Sequence, residues 1–268
     1  AASDVYKRQG ITPHIIDRKI SDIIIRNRQL RWPIPVEINK AIDLTVESVE
    51  RRSKYLMIKV ASGTILIHLG MSGTIRVIDK TTAVAKHDHV DIIFANGKAL
   101  RLNDPRRFGA VLWLDDHIDE HGILAKLGPE PLTESFSGEY LHEKSRNRKV
   151  PIKTFLMNNV IVVGVGNIYA NEALFNAGIL PTALAGSLSK RRLEKLVETI
   201  KIVLAQAIEQ GGTTLKDFTQ SDGRPGYFAQ SLNVYGRAGK PCVTCATTLQ
   251  EIRQSNRSSV FCPDCQKK

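Results

Sequence analysis

The chain lacks any uninterrupted apolar run of the roughly 18 residues that a bilayer-spanning helix needs, which excludes a membrane span of that kind. No charged start followed by an apolar middle is present, so no secretory leader is expected and the cytoplasm is the expected compartment. No internal repeat appears. Acidic residues are in short supply, 27 against 38 Lys and Arg, giving a net charge of +11. That deficit favours a polyanionic partner, most often nucleic acid, because lysines and arginines displace counterions from phosphates. Charge alone also fits a merely basic soluble protein. Cysteine is absent from the first 241 residues. What remains is ample for a core: 268 residues, 42% of them hydrophobic, enough for two domains and a small appendage.

The four cysteines stand together in "PCVTCATTLQEIRQSNRSSVFCPDCQKK". Cys242 and Cys245 form one CxxC, Cys262 and Cys265 the other, with sixteen residues between the pairs. This is four-cysteine zinc spacing. Two disulfides, or a redox CxxC, are the competing readings. A reducing cytosol argues against the first, and nothing else here looks thioredoxin-like. No fifth Cys or nearby His suggests an open coordination position, so one structural zinc ion is expected. The segment has almost no core without it.

The first half reads as β. "SKYLMIKVASGTILIHLGMSGTIRVI" gives strands broken at Ser62-Gly63 and around Gly70 to Gly73. "HVDIIFANGKALRLND" is a hairpin turning at Asn96-Gly97, and "FGAVLWLDD" is a further strand. Short strands with glycine turns predict a sandwich or barrel. The second half reads as α. Leu193, Leu196, Val197, Ile200, Val203, Leu204, Ala207 and Ile208 share one helical face, with Ser189 as N-cap and Gly211 as stop. "NIYANEALFNAGILP" is a shorter helix closed by Gly178 and Pro181. Basic "SRNRKVPIK" marks the passage from the β half to the α half, and "TQSDGRPGYFAQS" is a loop.

One stretch asks for a particular partner. "LNDPRRFGAVLWL" sets two arginines and a phenylalanine on a turn. With "KYLMIKV", "IHLGMSGTIR", "KHDHVDI", "LGPEPL", "VVGVGNIYANEALF", "GGTTLKDF", "SDGRPGYFAQ" and the zinc ribbon, in this order, it resembles bacterial formamidopyrimidine-DNA glycosylase from about Gly10 to the C-terminus. The resemblance implies an α+β protein with an N-terminal β-sandwich domain (1–130), a helical domain with a helix–two-turns–helix element (131–232), and a four-cysteine zinc ribbon (233–268). It implies excision of 8-oxoguanine and ring-opened purines from double-stranded DNA, and lyase cleavage of abasic sites by β,δ-elimination. A monomer with no membrane partner is expected.

By the same resemblance, Phe108 wedges between bases, Met71 fills the space left by the flipped nucleotide, and Arg106 bonds the orphaned cytosine. Isolated, Phe108 and Met71 would read as core. Lys54 and Arg257 are linked to the elimination steps, and Arg257 also grips phosphates. Lys54, His68, His87, Arg148, Lys153 and Asn167 are expected phosphate contacts, Asn167 at a helix start whose N–H groups suit an anion. Lys216, with the loop Thr219 to Ala229 including Arg224 and Tyr227, closes over the flipped base. Family members begin Pro-Glu-Leu-Pro-Glu; the proline amine attacks C1′ and the glutamate protonates the ring oxygen. This chain begins "AASDVYKRQG", with no Pro or Glu in its first nine residues. Counting back, that pair would stand just before Ala1. Lys7 is a conceivable but unsupported substitute amine. A frayed first helix and lesion binding without excision are therefore expected of the chain as written. The rival readings are an endonuclease VIII-like enzyme for oxidised pyrimidines and a non-catalytic zinc-ribbon protein that binds damaged DNA.

Overall fold

In a computed structural model, residues 2–115, 122–210 and 232–268 are described, with side chains from Lys7 onward. They fall into two compact units. The first contains helix α1 (Ala2–Ile15) and eight strands: β1 (Ile20–Ile25), β2 (Ser48–Arg52), β3 (Tyr55–Val60), β4 (Gly63–His68), β5 (Thr74–Asp79), β6 (Asp88–Phe94), β7 (Lys98–Asn103) and β8 (Ala110–Leu114). They form two antiparallel four-stranded sheets, ordered β1-β6-β7-β5 and β2-β3-β4-β8. The expected sandwich is thus present. Ile92, Phe94, Leu100 and Leu102 of one sheet share a core with Ile58, Ile65, Ile67 and Val111 of the other. Burying each such side chain stabilises the fold by roughly 1.5–3 kcal/mol. The predicted turn at Asn96-Gly97 is closed by Gly97 N–H donating to the Phe94 carbonyl at 3.0 Å.

The backbone is helical from Ala2, in place of the frayed start expected from the sequence. Lys7, Ile11 and Ile15 are buried at four-residue spacing, so one face of α1 is seated. Charge is also buried in this unit. Arg101, 1% exposed, forks onto Asp91 with two 2.8 Å bonds, and Arg26 adds a third at 2.6 Å. Burial alone would raise the Asp91 pKa; the bonds from Arg101 and Arg26 outweigh it and hold the carboxyl below its usual range.

The second unit contains α2 (Gly138–Ser145), α3 (Ile152–Leu156), α4 (Asn167–Ala177), α5 (Lys190–Glu209) and the hairpin β9 (Gln250–Gln254)–β10 (Arg257–Phe261). Ser189 caps α5, its hydroxyl accepting from Arg192 N–H at 3.4 Å. The predicted apolar face is buried from Leu193 to Ala207, with Ile208 packed at its margin. Gly178 ends α4 in a left-handed conformation (φ 73°) that disfavours any side chain. Basic "SRNRKVPIK" does not separate the halves as expected. It joins α2 to α3 inside this unit, because Leu141 before it and Ile152 within it enter one core.

The ribbon is bound to the helices through backbone and amide groups. Asn171, 1% exposed on α4, accepts from Val260 N–H at 2.8 Å and donates to the Asn167 carbonyl at 2.7 Å. Gln266, fully buried, donates to the Ile179 carbonyl and accepts from Cys262 N–H, both at 2.8 Å.

Candidate nucleic-acid interface

Strand register decides which residues of the sandwich share one end. The β2–β3 turn carries Lys54, since Arg52 pairs with Tyr55. Tyr55 pairs with His68 at the end of β4, and His68 with Ala110 at the start of β8. In the other sheet, Thr74 and Asp88 both pair with Asn103. The loop after His68 and the loop after Asn103 therefore cross between the sheets at this same end. Lys54, His68, Met71, His87, Arg106 and Phe108 all lie on it, though they span more than fifty positions of chain.

The geometry suits a partner that is both apolar and anionic. Met71 is 58% exposed and Phe108 52%, each near the tip of a turn, where neither serves the core. Arg106 is exposed beside Phe108. Gly70, at φ 61°, lets the two loops meet backbone to backbone: a Cβ there would stand 2.6 Å from the Phe108 carbonyl carbon. The His68 Nδ1 accepts from Gly70 N–H at 3.1 Å, so in the neutral ring the proton sits on Nε2. The His68 ring also lies 5.0 Å from that of Tyr55. His87 holds a positive φ of 72° just before β6.

Asp104 escaped sequence reasoning. It is fully buried, and its carboxylate accepts from the Ser72 hydroxyl at 2.7 Å and from Gly109 N–H at 2.8 Å. Its only sequence signal is the Asp-Pro pair, which reads as an ordinary turn. Glu172 was missed too. It is 2% exposed and accepts from the N–H groups of Asn233, Val234 and Tyr235 at 2.8–3.0 Å.

In the helical unit, Asn167, Lys153 and Arg257 are drawn together around the start of β10. Asn167 opens α4 without a side-chain cap. Its amide oxygen is buried and has no partner among the described residues. Turned over, the same amide offers N–H to an anion. Lys153 differs from expectation. It is 1% exposed, and its ammonium donates to the Ser258 carbonyl at 2.5 Å and the Ser259 hydroxyl at 2.6 Å. Burial first, then the nearby Arg257 charge, push its pKa down to about 8. It props the strand beginning with Arg257 instead of facing solvent as a phosphate ligand, because both of these bonds point into the protein. A cleft of about 250 Å³ lies beside it, walled by Asn158, Gln254 and Arg257 among others. Arg148 is exposed, and its backbone backs onto Gly186. Lys216, Thr219, Arg224 and Tyr227 lie outside the described residues, as does Gly211.

The four cysteine sulfurs all lie within 4.8 Å of one another, with three pairs at 3.4–3.9 Å. Tetrahedral zinc with bonds of about 2.3 Å spaces its sulfurs roughly 3.8 Å apart, so the donor set fits. One structural zinc belongs here.

Sandwich, helix–two-turns–helix element (α3, the turns through Gly166, and α4) and zinc ribbon together define a zinc-containing DNA-repair protein class. Family models agree along the chain: the formamidopyrimidine-DNA glycosylase N-terminal domain over residues 6–111, its H2TH domain over 127–219, and the zinc finger found in FPG and IleRS over 239–268. A formamidopyrimidine-DNA glycosylase of Colwellia psychrerythraea is 68% identical over 260 residues, 97% of this chain and 96% of that protein. Among solved structures, a complex of Lactococcus lactis Fpg with abasic-site DNA is 30% identical, TM-score 0.91, covering 100% of this chain and 99% of that one. A complex of the same enzyme with Fapy-dG DNA is 29% identical, TM-score 0.90, with the same coverage. The chain belongs to the formamidopyrimidine-DNA glycosylase family.

Proposed function

We propose that this protein is a base-excision repair glycosylase. It removes oxidised purines, 8-oxoguanine and formamidopyrimidines, from duplex DNA and cleaves the resulting abasic site by β,δ-elimination. The observation that carries this reading is the convergence of Met71, Arg106 and Phe108 on one end of the sandwich. It comes in a chain that matches, over its length, relatives bound to Fapy-dG and abasic DNA. Extruding a base costs a few kcal/mol of stacking, and something must fill the gap. Phe108 enters the stack, Met71 fills the vacated space, and the Arg106 fork meets the O2 and N3 acceptors of the widowed cytosine. Lys54, His68, His87, Asn167, Arg148 and Arg257 neutralise backbone phosphates and fix register without reading sequence. Lys54 and Arg257 also take part in the elimination steps. Lys216, Thr219, Arg224 and Tyr227 belong to the segment that covers the flipped base. The zinc holds Cys242, Cys245, Cys262 and Cys265 together, and with them the strand that presents Arg257.

In this reading the chain works as three parts, 1–130, 131–232 and 233–268, as a cytoplasmic monomer on the bacterial chromosome. No helix among the described residues is long and apolar enough to cross a membrane. The endonuclease VIII-like and non-catalytic readings are not favoured, since the named relatives are formamidopyrimidine-DNA glycosylases. The test is the opposite base. Arg106→Ala is expected to weaken binding to an abasic-analogue duplex opposite C by roughly 1–3 kcal/mol, the worth of a good bidentate base contact. Equal losses opposite all four bases would reduce Arg106 to a phosphate contact.

A further inference from the structure

Met71 sits on one loop, Leu69–Gly73, and Arg106 and Phe108 on another, Asp104–Gly109. Two exposed loops that move independently would each have to be ordered when DNA arrives. Rotamer-rich side chains such as Met and Arg lose freedom on binding, and preorganisation reduces that loss. The structure shows what ties the loops. The Leu69–Gly73 turn closes on itself, Gly73 N–H donating to the Leu69 carbonyl at 2.9 Å. Its Ser72 then donates to Asp104 Oδ1 at 2.7 Å. The other carboxylate oxygen accepts from Gly109 N–H at 2.8 Å, closing the second loop around Phe108. Asp104 is itself fixed: its N–H donates to the His87 carbonyl at 3.1 Å, and its carbonyl meets His89 Nε2 at 2.9 Å. His89 is buried beneath it.

We propose that Asp104 is a positioning residue, a buried carboxylate clamp that makes the Met71 loop and the Arg106–Phe108 loop one preformed wedge. The proposal rests on the wedge reading given above. Ser72 is the informative partner, because Ser72→Ala cuts only the link between loops and leaves the Asp104–Gly109 bond. Asp104→Ala cuts both. Asp104→Asn can keep both, since its amide can donate to the Ser72 oxygen while its carbonyl accepts from Gly109 N–H.

The test uses the whole protein with two duplexes, one carrying tetrahydrofuran opposite C beside 2-aminopurine, the other undamaged. Ser72→Ala is expected to lose about tenfold in affinity for the damaged duplex, as expected for one hydrogen bond's free energy, and Asp104→Ala at least as much. They should also lose the 2-aminopurine signal of unstacking, with undamaged binding unchanged. Asp104→Asn should stay near wild type. If Asp104→Ala fails to fold, Ser72→Ala decides alone. Unchanged damaged-duplex affinity and fluorescence in Ser72→Ala would overturn the clamp, provided Met71→Ala and Phe108→Ala still lose both. If those two are also unaffected, the wedge reading falls with it. Equal weakening on both duplexes in Ser72→Ala would also overturn it, in favour of a general structural role.

Discussion

Replacing Asn171 by alanine should loosen the zinc ribbon from the helices. Its amide oxygen takes the Val260 N–H at 2.8 Å, and Val260 is 2% exposed, so no water can replace that acceptor. An orphaned buried N–H costs roughly 1–3 kcal/mol. The amide nitrogen gives a 2.7 Å bond to the Asn167 carbonyl, worth roughly 1 kcal/mol more. Its 3.4 Å contact with the Ser258 carbonyl adds little. The sum is about 2–4 kcal/mol, felt where β10 runs directly into Cys262. Asn171→Asp should be no better: one oxygen still accepts from Val260, but the other would face two carbonyl oxygens. Urea unfolding of zinc-loaded protein, followed with zinc transfer to a chromogenic chelator, reads both effects. A lower midpoint with faster zinc release is expected in each variant. Wild-type midpoint and release rate in Asn171→Ala would show that α4 does not hold the ribbon through this amide.

Elemental analysis should find one zinc per chain, and Cys262→Ser should lose both the metal and DNA affinity; full binding without zinc would refute a structural metal. Lys153 predicts a pH dependence. Folded, it releases its proton near pH 8, and unfolded near the ordinary lysine value of 10.5, so between these the unfolded chain binds more protons. Stability relative to Lys153→Met should therefore be flat below pH 8 and rise towards 10.5. A difference in unfolding midpoint that stays constant across that range would show that the ammonium is not desolvated.

Local patterns were enough for much of the architecture. Strand alternation with the Asn96-Gly97 turn, the apolar face of α5 with its Ser189 cap, and the paired CxxC spacing all depend on neighbours within a turn or a hairpin. Asp104 did not show itself because its partner Ser72 stands 32 positions earlier, and only the pairing of β5 with β7 brings them together. Lys153 looked like a surface cation for a similar reason. The serines that enclose it are more than one hundred positions away. Its basic, proline-marked surroundings read as a linker, whereas the apolar residues on either side pull that segment into the helical core. Met71 and Phe108 were legible only through the resemblance, since an isolated apolar residue reads as core until its exposure is known.

The central claim is excision of oxidised purines, and lesion choice tests it most directly. The protein, prepared with the family's Pro-Glu start ahead of its first helix, is incubated with borohydride and duplexes carrying 8-oxoguanine opposite C, thymine glycol opposite A, or no lesion. The account predicts a trapped covalent adduct and strand cleavage on the 8-oxoguanine duplex, far above the other two. Trapping confined to thymine glycol, or none on any duplex from a folded, zinc-loaded protein, would contradict it.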